Sequence, residues 1–293
     1  MSGKDDLTFF GYHVACLIDV LGQKDQLAKW RELPDGGQTT PEFIQALKRT
    51  AGTVLGFRDH YLTFFDQFEQ PTTPNGFAPL SKDHLKKYQR AKECRVRVER
   101  FADTFVFSSQ IANAYGDAST VPTYRILAAC SMAMVVSLAA RVPVRGAITV
   151  GMGAVLEDGS FYGPALAEAH SLESEVAAYP RVVVSPTVLE FLAGGGAYSQ
   201  DPVVANIMGL FVNLCDSFIC QDTDGYWIVD FLGEGTRRIL SPDADVVRLA
   251  YNFVRLEEKR FRDNKEREME DRYHLLHEYI ESRLPLWGIP MEH

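Results

Sequence analysis

An acidic residue inside an apolar strand pattern is the feature that most constrains this chain. Residues 14–22 read VACLIDVLG, so Asp19 interrupts a run that otherwise predicts a buried strand. Burying a carboxylate costs free energy unless something nearby compensates its charge. The fold must therefore place a compensating group next to Asp19.

Composition sets the class of protein. The chain has 293 residues, a net charge of -9 and 46% hydrophobic residues, which is typical of one large globular domain or two small ones. The acidic balance argues against a nucleic-acid-binding protein, because such proteins normally present a basic face. It does not exclude an anionic ligand, since metal ions can neutralise phosphates locally.

Cysteine usage and apolar segments indicate a cytoplasmic protein. The five cysteines lack zinc-type spacing and predict reduced, buried thiols. The beginning, MSGKDDL, has no signal-peptide pattern. The most apolar stretch, residues 126–140, is too short to span a bilayer comfortably and predicts a buried helix at the centre of a domain, without a membrane partner.

Hydrophobic periodicity and turn residues predict an α+β fold. The predicted elements are a strand at 12–22, a helix at 42–68 with possible interruptions near Gly52 and Gly56, two strands within 94–109 joined by a tight turn near Ala102 and Asp103, a helix at 121–141, a strand at 142–153, a helix at 161–175, a strand at 181–185 and a short helix from Pro186. This order is close to the split βαβ, ferredoxin-like arrangement, a mostly antiparallel sheet covered by helices.

Two regions are predicted. Residues 1–190 would form the core, and residues 191–293 a C-terminal extension packed on it. In the extension we predict strands at 211–215, 218–220 and 226–232, then one long charged helix over 243–284. The mixed-sign run at 257–272 is typical of a solvated helix face.

A second acid, Asp103, lies in the predicted hairpin and is also flanked by apolar residues. In a split βαβ layout the first strand pairs beside that hairpin, so Asp19 and Asp103 could face each other. Two such carboxylates would repel each other and raise each other's pKa unless a divalent cation lay between them. Oxygen ligands suit Mg²⁺ or Mn²⁺. The alternative is that each acid caps a local turn and the two never meet.

Four motifs together resemble a known family. LIDVLG at 17–22, FADT at 101–104, VRGAITVG at 144–151 and YGPALAEAHSLE at 162–173 occur in the order found in class III nucleotide cyclases. The set is most similar to the bacterial pyrimidine cyclases of the Pycsar antiphage system, over roughly residues 10–190. The resemblance implies a nucleoside triphosphate cyclase that acts as a head-to-tail homodimer with active sites at the interface.

The resemblance also assigns site residues. Asp19 and Asp103 match the two catalytic, metal-binding aspartates, which hold two divalent cations, Mn²⁺ or Mg²⁺, and Val20 supplies the main-chain carbonyl ligand. The amides of Leu21, Gly22 and Gln23 lead into a helix, whose N-terminus suits phosphate oxygens. Lys24 could add charge there, although a solvated lysine is the alternative.

One departure from the family pattern concerns the transition state. Many purine cyclases carry Asn and, four residues later, Arg at positions that are Ala167 and Ser171 here. Possible substitutes for that arginine are Arg97, Arg100 and Arg145, each of which could instead have an ordinary surface or structural role. His170 lies on the same predicted helix, where we expect core packing rather than catalysis.

Base choice is predicted from Glu99, four residues before Asp103, where related cyclases contact the base. Arg97 and Glu99 share a strand face and could reach one pocket. An ionised glutamate only accepts hydrogen bonds, which suits the ring N–H of uracil or guanine. Resemblance to the pyrimidine cyclases favours UTP, while a salt-bridged strand residue is the alternative for Glu99.

The resemblance therefore implies a uridylate cyclase that makes 3′,5′-cyclic UMP as a second messenger in antiphage defence, for a separate effector protein. The alternatives are a cytidylate or purine cyclase, a catalytically inactive cyclase-like nucleotide sensor, and a structural scaffold. A scaffold leaves the two acids in apolar strands unexplained.

Overall fold

A computed structural model describes residues 7–23, 28, 40–67, 83, 94–111, 118–194, 202–240 and 244–290. The residues outside these ranges include Lys24, Thr39, which is a candidate cap of the helix predicted at 42–68, and a loop that the sequence predicts at 71–79.

The described residues form eight strands in one sheet. Their bounds are β1 Leu7–Val20, β2 Arg97–Phe101, β3 Thr104–Gln110, β4 Val144–Leu156, β5 Phe161–Tyr162, β6 Val182–Val184, β7 Ile219–Gln221 and β8 Trp227–Val229. The strand order is β2-β3-β1-β4-β6-β8-β7, and β5 pairs with β4. The β4–β6 pair is parallel and the other described pairs are antiparallel. A mixed α+β fold with a mostly antiparallel sheet is thus confirmed.

The helices surround this sheet. They are α1 Pro41–Gln67, α2 Val121–Ala139, α3 Pro164–Ser171, α4 Pro186–Ala193, α5 Pro202–Asp216, α6 Glu234–Leu240, α7 Ala244–Asn264 and α8 Arg267–Arg283. A π-helical turn, Leu172–Val176, continues α3, and a 3-10 turn, Leu284–Trp287, follows α8. Helix α1 runs unbroken through Gly52 and Gly56, and its first turn is capped where Phe43 N donates to Thr40 Oγ1 at 3.2 Å.

Successive side chains of β1 point alternately to the two faces of the sheet. Val14, Cys16 and Ile18 lie in the main core under α1 and α2. Ala15 and Leu17 point to the opposite face, which we call the Asp19 face because Asp19 shares their direction. Helix α3 covers part of this face, where Ala165 and Ala169 are buried. The uncovered part of the Asp19 face is where the predicted site lies.

Aromatic contacts between α1 and β3 form one part of the main core. The rings of Tyr61 and Phe107 stack with centroids 3.7 Å apart, and Phe57 lies 6.2 Å from Phe105. The Tyr61 hydroxyl donates to the Ile126 carbonyl of α2 at 3.3 Å, so its polar group is satisfied although the residue is fully buried.

Helix α2 is buried nearly all round. Sixteen of its 19 residues are buried, so it has no single apolar stripe, as the sequence predicts for a central helix. Within the described part of the chain it is the one helix long and apolar enough to cross a membrane by length and composition. Burial inside the protein accounts for that composition equally well.

Residues 211–215, predicted as a strand, belong to helix α5. That prediction is wrong because a short apolar run carries no decisive period. Met208 and Cys215 are buried, and Phe211 and Val212 pack on the same core, a spacing that suits one helix face.

The predicted long C-terminal helix is two helices, α7 and α8, separated at Lys265 and Glu266. Lys265 has a φ of 60°, which ends α7. Most of the charged run at 257–272 is exposed, as predicted, whereas Glu258 within it is buried between the two helices. Glu258 accepts a hydrogen bond from Arg262 Nη2 at 2.7 Å, and its carboxylate oxygens contact the Nδ1 atoms of His274 and His277.

The division near residue 190 stays a prediction. Strands from both proposed regions share one sheet, since Val183 of β6 pairs with Ile228 of β8. Arg181 adds side-chain contacts between the same two regions through Asp222 and Asp224.

Gly146 in β4 lies in close contact with the backbone of β1. A Cβ there would collide with the Leu17 carbonyl oxygen and approach Ile18 Cδ1 to 2.8 Å. We expect Gly146→Ala to lower the free energy of unfolding by about 1–3 kcal/mol, measured by urea denaturation. Gly52→Ala is the matched control, because nothing lies within 4 Å of its Cβ position in α1 and alanine should stabilise a helix by about 0.5–1 kcal/mol. Equal effects of the two substitutions would contradict this packing.

Candidate functional site

Asp19 lies at the end of β1 on the Asp19 face. It is opposite Thr104 of β3 and Arg145 of β4 in the strand register. Its Oδ1 accepts a hydrogen bond from Thr104 Oγ1 at 3.1 Å, and its Oδ2 lies 3.6 Å from Arg145 Nε. The Asp19 side chain is 21% exposed, so solvent can reach it only partly. A hydroxyl and a guanidinium are thus the compensating groups that its position in an apolar strand requires.

Asp103 lies beside the same strand end. The β2–β3 hairpin turns through Ala102 and Asp103, as predicted, and Val20 N donates to the Asp103 carbonyl at 3.1 Å. Ala102 has a φ of 55°, a left-handed conformation that glycine usually occupies. This tight turn and its tie to Val20 place Asp103 next to Asp19.

The two acids are close enough to interact electrostatically. Burial raises the pKa of Asp19 above its ordinary value, and the negative charge of Asp103 raises it further. The hydrogen bond from Thr104 and the charge of Arg145 oppose this shift. Because the net direction is upward, Thr104 and Arg145 only partly offset the effects of burial and of Asp103 on this carboxyl.

Arg145 and Glu173 complete the ionic cluster. Arg145 Nε lies 2.7 Å from Glu173 Oε1, and the Glu173 side chain is 8% exposed. Burial raises the pKa of Glu173, while Arg145 lowers it and Asp19 raises it. Glu173 sits on the π-helical turn, a geometry frequent at functional sites.

The predicted phosphate-binding amides follow directly after β1. Gly22 has a φ of 84° and is exposed, and Gln23 is buried. The amide of Leu21 donates to the Pro143 carbonyl at 3.0 Å, so it already has a partner. Gly22 and Gln23 are therefore the better candidates for contacts to an anion.

Glu99 and Arg97 lie on the Asp19 face, further from the acids. One oxygen of Glu99 accepts from the Phe161 amide of β5, and burial raises the pKa of Glu99. Arg97 is exposed, and its charge lowers the pKa of His13, although burial is the larger cause of that shift. Arg100 is exposed and opposite Phe105, whose side chain lies in the core under α1, so Arg100 belongs to the other face.

Helix α3 presents the residues that differ from the purine cyclases. Ala167 and Ser171 are both exposed and one helical turn apart. His170 is exposed too, so the expected core packing of this histidine is wrong. Its charge instead lowers the pKa of Glu173, against the larger effect of burial.

Neither a scan against protein-family models nor a search of curated proteins finds a match to this chain. What the site can do must therefore be argued from its donor groups and their geometry.

The donor set fits a hard divalent cation. Asp103 lies close enough to the half-buried Asp19 for its negative charge to add to the effect of burial, and both raise the pKa of the Asp19 carboxyl. Across the described ranges, no three His, Cys, Asp or Glu side chains gather as a ligand set. A cation here would complete its coordination with the Val20 carbonyl, substrate phosphates and water, as Mg²⁺ commonly does.

Sequence reasoning did not single out Glu173. The signal was present in the quoted motif at 162–173, where this acid follows a leucine at the end of a mostly apolar helix. Its burial depends on the π-helical turn, in which Ala177 N donates to the Leu172 carbonyl at 2.9 Å. Nothing in the local residue pattern predicts that turn.

Proposed function

We propose that this protein is a nucleotidyl cyclase that converts UTP to 3′,5′-cyclic UMP and pyrophosphate. The observation that carries the proposal is the position of Asp103 beside Asp19 at one end of the sheet, where Val20 N donates to the Asp103 carbonyl and the charge of Asp103 acts on Asp19. A partly buried pair of carboxylates costs stability, which is typical of a functional site.

The strand order supports a class III cyclase core. The first four strands are arranged β2-β3-β1-β4, all antiparallel, with α1 between β1 and β2 and α2 between β3 and β4. This order supports our proposal of the split βαβ, ferredoxin-like core that the resemblance implies. Fold alone does not establish activity, so the proposal depends on the acids.

Each residue has a defined task in this reaction. Asp19, Asp103 and the Val20 carbonyl would hold the divalent cations, which when bound supply Lewis-acid activation and offset phosphate charge. The amides of Gly22 and Gln23 would orient the phosphates. The ribose 3′-oxygen gives its proton to solvent and attacks the α-phosphorus. The bond from the α-phosphorus to the oxygen that bridges to the β-phosphate then breaks, which releases pyrophosphate. Positioning and charge stabilisation provide most of the acceleration.

Base selection is assigned to Glu99 and Arg97. One Glu99 oxygen is held by the Phe161 amide, which fixes the carboxylate and leaves the other oxygen as acceptor for the ring N–H of uracil. Arg97, on the same strand face, would donate to a keto oxygen of that base.

A homodimer would place a second chain on the Asp19 face. Phe101 is 86% exposed there, in the row that contains Thr104 and Asp19. An exposed aromatic side chain beside a half-buried ionic cluster supports contact with another surface. The cyclic product would act on a separate effector protein in antiphage defence.

A panel of substrates tests the proposal. Purified protein is incubated with Mn²⁺ and ATP, GTP, CTP or UTP in turn, and cyclic nucleotide and pyrophosphate are quantified. We expect cyclic UMP from UTP, with ATP and CTP at least about 10-fold poorer because Glu99 can accept but not donate. GTP also presents a ring N–H, so its comparison with UTP tests the preference that the resemblance to the pyrimidine cyclases implies. Cyclic AMP alone, or no cyclic product, would refute uridylate cyclase activity.

A catalytically inactive nucleotide sensor is the second candidate. It is favoured by Ala167 and Ser171, which leave the exposed surface of α3 without the amide and guanidinium of the purine cyclases. Mn²⁺-dependent binding of UTP without pyrophosphate release would support this candidate over the enzyme.

A further inference from the structure

The contact between α7 and α8 is built around one buried acid. The side chain of Glu258 on α7 is 6% exposed, and its two carboxylate oxygens face two histidines of α8. Glu258 Oε1 lies 3.1 Å from His274 Nδ1, and Glu258 Oε2 lies 2.5 Å from His277 Nδ1. Because a buried carboxylate is costly without partners, these histidines and Arg262 are what stabilise the acid at this position.

A second acid faces the other ring nitrogen of each histidine. His274 Nε2 lies 3.4 Å from Glu278 Oε1, and His277 Nε2 lies 3.4 Å from Glu281 Oε1. In both pairs the acid follows the histidine by four residues, so it lies one turn further along the same face of α8. Each imidazole is thus placed between two carboxylates.

Only a protonated imidazole can donate to both of these neighbours. A neutral imidazole carries one N–H, and its other nitrogen presents a lone pair. The Nε2 atom of His277 is buried and makes no hydrogen bond to any residue that the structure describes. When Nδ1 donates to Glu258, a neutral ring therefore directs the Nε2 lone pair toward Glu281, whose Oε1 already accepts from Tyr251 OH at 3.1 Å. A proton on Nε2 replaces this repulsion with an attraction.

The surrounding charges also favour uptake of a proton. A groove of about 470 Å³ opens beside the two histidines, and the charged side chains of α7 that line it besides Glu258 are Arg255, Lys259, Arg262 and Asp263. Arg262 is shared between Glu258 and Glu270 of α8, which it contacts at 2.7 and 2.8 Å. The 3-10 turn at 284–287, which packs against α8, has no titratable side chain. Acids outnumber arginines and lysines in the lining by one, so the groove is negative until a histidine is protonated.

We propose that Glu258, His274 and His277 form a pH-sensitive clasp that holds α8 to α7 when the histidines are protonated and weakens when they are neutral. This inference is independent of the proposed function. Because α8 packs mainly against α7, weakening of the clasp would loosen α8 first. Helix α7 in turn packs along the central helix α2, so the clasp acts on the outer layer of the C-terminal helices.

The pKa of Glu258 supports the direction of this effect. Burial is the largest single influence and raises this pKa, yet hydrogen bonds from His277 and His274 and the positive charges of both bring it below its ordinary value of 4.5. An acid with a lowered pKa stabilises the folded chain above its unfolded pKa, and this stabilisation is lost as pH falls through the folded pKa. At higher pH, the charges that lower the pKa are lost when imidazoles become neutral. The clasp therefore contributes most in mildly acidic solution.

Thermal melting of the full chain across a range of pH tests the clasp. We expect His277→Gln, which keeps an N–H donor but cannot take up a proton, to melt about 2–4 °C below the wild-type protein at about pH 6. The difference should close by about pH 8.5, where imidazoles are neutral. His274→Gln should show the same pH dependence with a smaller amplitude, because the His274 side chain is 54% exposed. His60→Gln, an exposed histidine on α1, is the matched control and should melt like the wild type at every pH.

Hydrogen exchange locates the effect in the helix pair. At about pH 6, the amides of α8 should exchange about 5-fold faster in His277→Gln than in the wild-type protein, while the amides of α3 should exchange alike in both. Comparing the two proteins at one pH cancels the intrinsic pH dependence of exchange. In a background of Glu258→Gln, which lacks the central charge, His277→Gln should have little further effect on α8.

The pH dependence separates a clasp from simple packing. A difference in melting temperature between the wild type and His277→Gln that is the same at every pH would show that His277 only fills space between the helices, and it would overturn the clasp. Equal melting of the two proteins at every pH would overturn it as well. If His277→Gln does not fold, the same comparison with His274→Gln decides the question.

Discussion

Replacing Asp19 with asparagine is expected to abolish cyclic UMP formation and, without added cations, to make the folded protein more stable. Activity should fall about 1000-fold or more, because the amide can no longer hold a divalent cation with Asp103. Stability should rise at neutral pH, because the upward pKa shift of Asp19 means that its charge is net unfavourable in the folded state. The amide oxygen can still accept from Thr104 Oγ1.

The stability gained by Asp19→Asn should depend on pH. The folded chain holds the Asp19 proton to higher pH than the unfolded chain, whose ordinary value is 3.8. The contribution of this carboxyl is therefore greatest at acid pH and falls as pH rises through the folded pKa. Urea unfolding without Mn²⁺ should show the advantage of Asp19→Asn growing from acid to neutral pH. Mn²⁺ should raise the melting temperature of the wild-type protein but not of this variant.

Two further variants complete the test of the acid pair. Asp103→Asn should lose activity to a similar extent while keeping its carbonyl bond from Val20 N. Asp59→Asn, an exposed acid on α1, is the matched control and should retain activity. Retained Mn²⁺-dependent turnover in both Asp19→Asn and Asp103→Asn would refute the assignment of the metal-binding acids.

Arg181→Met is expected to give the largest loss of stability among these substitutions. The Arg181 side chain is 4% exposed and forms ion pairs with Asp222 and Asp224. Its Nη2 atom also donates a hydrogen bond to the Val176 carbonyl at 2.8 Å. Removing it leaves Asp222, which is 8% exposed, buried without its counter-charge. The expected cost is about 3–5 kcal/mol, or a fall in melting temperature on the order of 10 °C.

A double-mutant cycle separates the ion pair from simple loss of packing. Adding Asp222→Asn to Arg181→Met removes the unpaired charge and should recover part of the stability. The amide oxygen can still accept the hydrogen bond that Tyr179 OH donates to Asp222. Arg238→Met is the control, because that arginine is 62% exposed in its pair with Glu234 and should cost less than about 0.5 kcal/mol. If Arg181→Met is no worse than this control, the buried ion pair contributes little.

Local pattern predicted those parts of the site that depend on strand ends and short turns. Asp19 could be placed because an acid stands out in an apolar strand, and Asp103 because a two-residue turn separates two apolar runs. The proximity of Asp19 and Asp103 follows from the pairing of β1 with β3, which the order of elements predicts.

The remaining contacts depend on tertiary structure. The bond from the Phe161 amide to Glu99 and the burial of Glu173 join segments far apart in the chain. The strand prediction for 211–215 failed for a related reason, because an apolar run fits a buried strand or one helix face equally well until its partners are known. The ion pairs of Arg145 with Asp19 and Glu173 likewise form only when β1, β4 and the π-helical turn are assembled.

The apolar character of α2 on all sides also affects how the chain reaches its folded state. The partners that cover this helix include α1, which precedes it, and α7, Ala244–Asn264, which is synthesised much later. On the ribosome, α2 would thus emerge with much of its surface uncovered. Such exposure favours aggregation and chaperone binding, so yield during expression or refolding is governed by how soon the C-terminal helices dock.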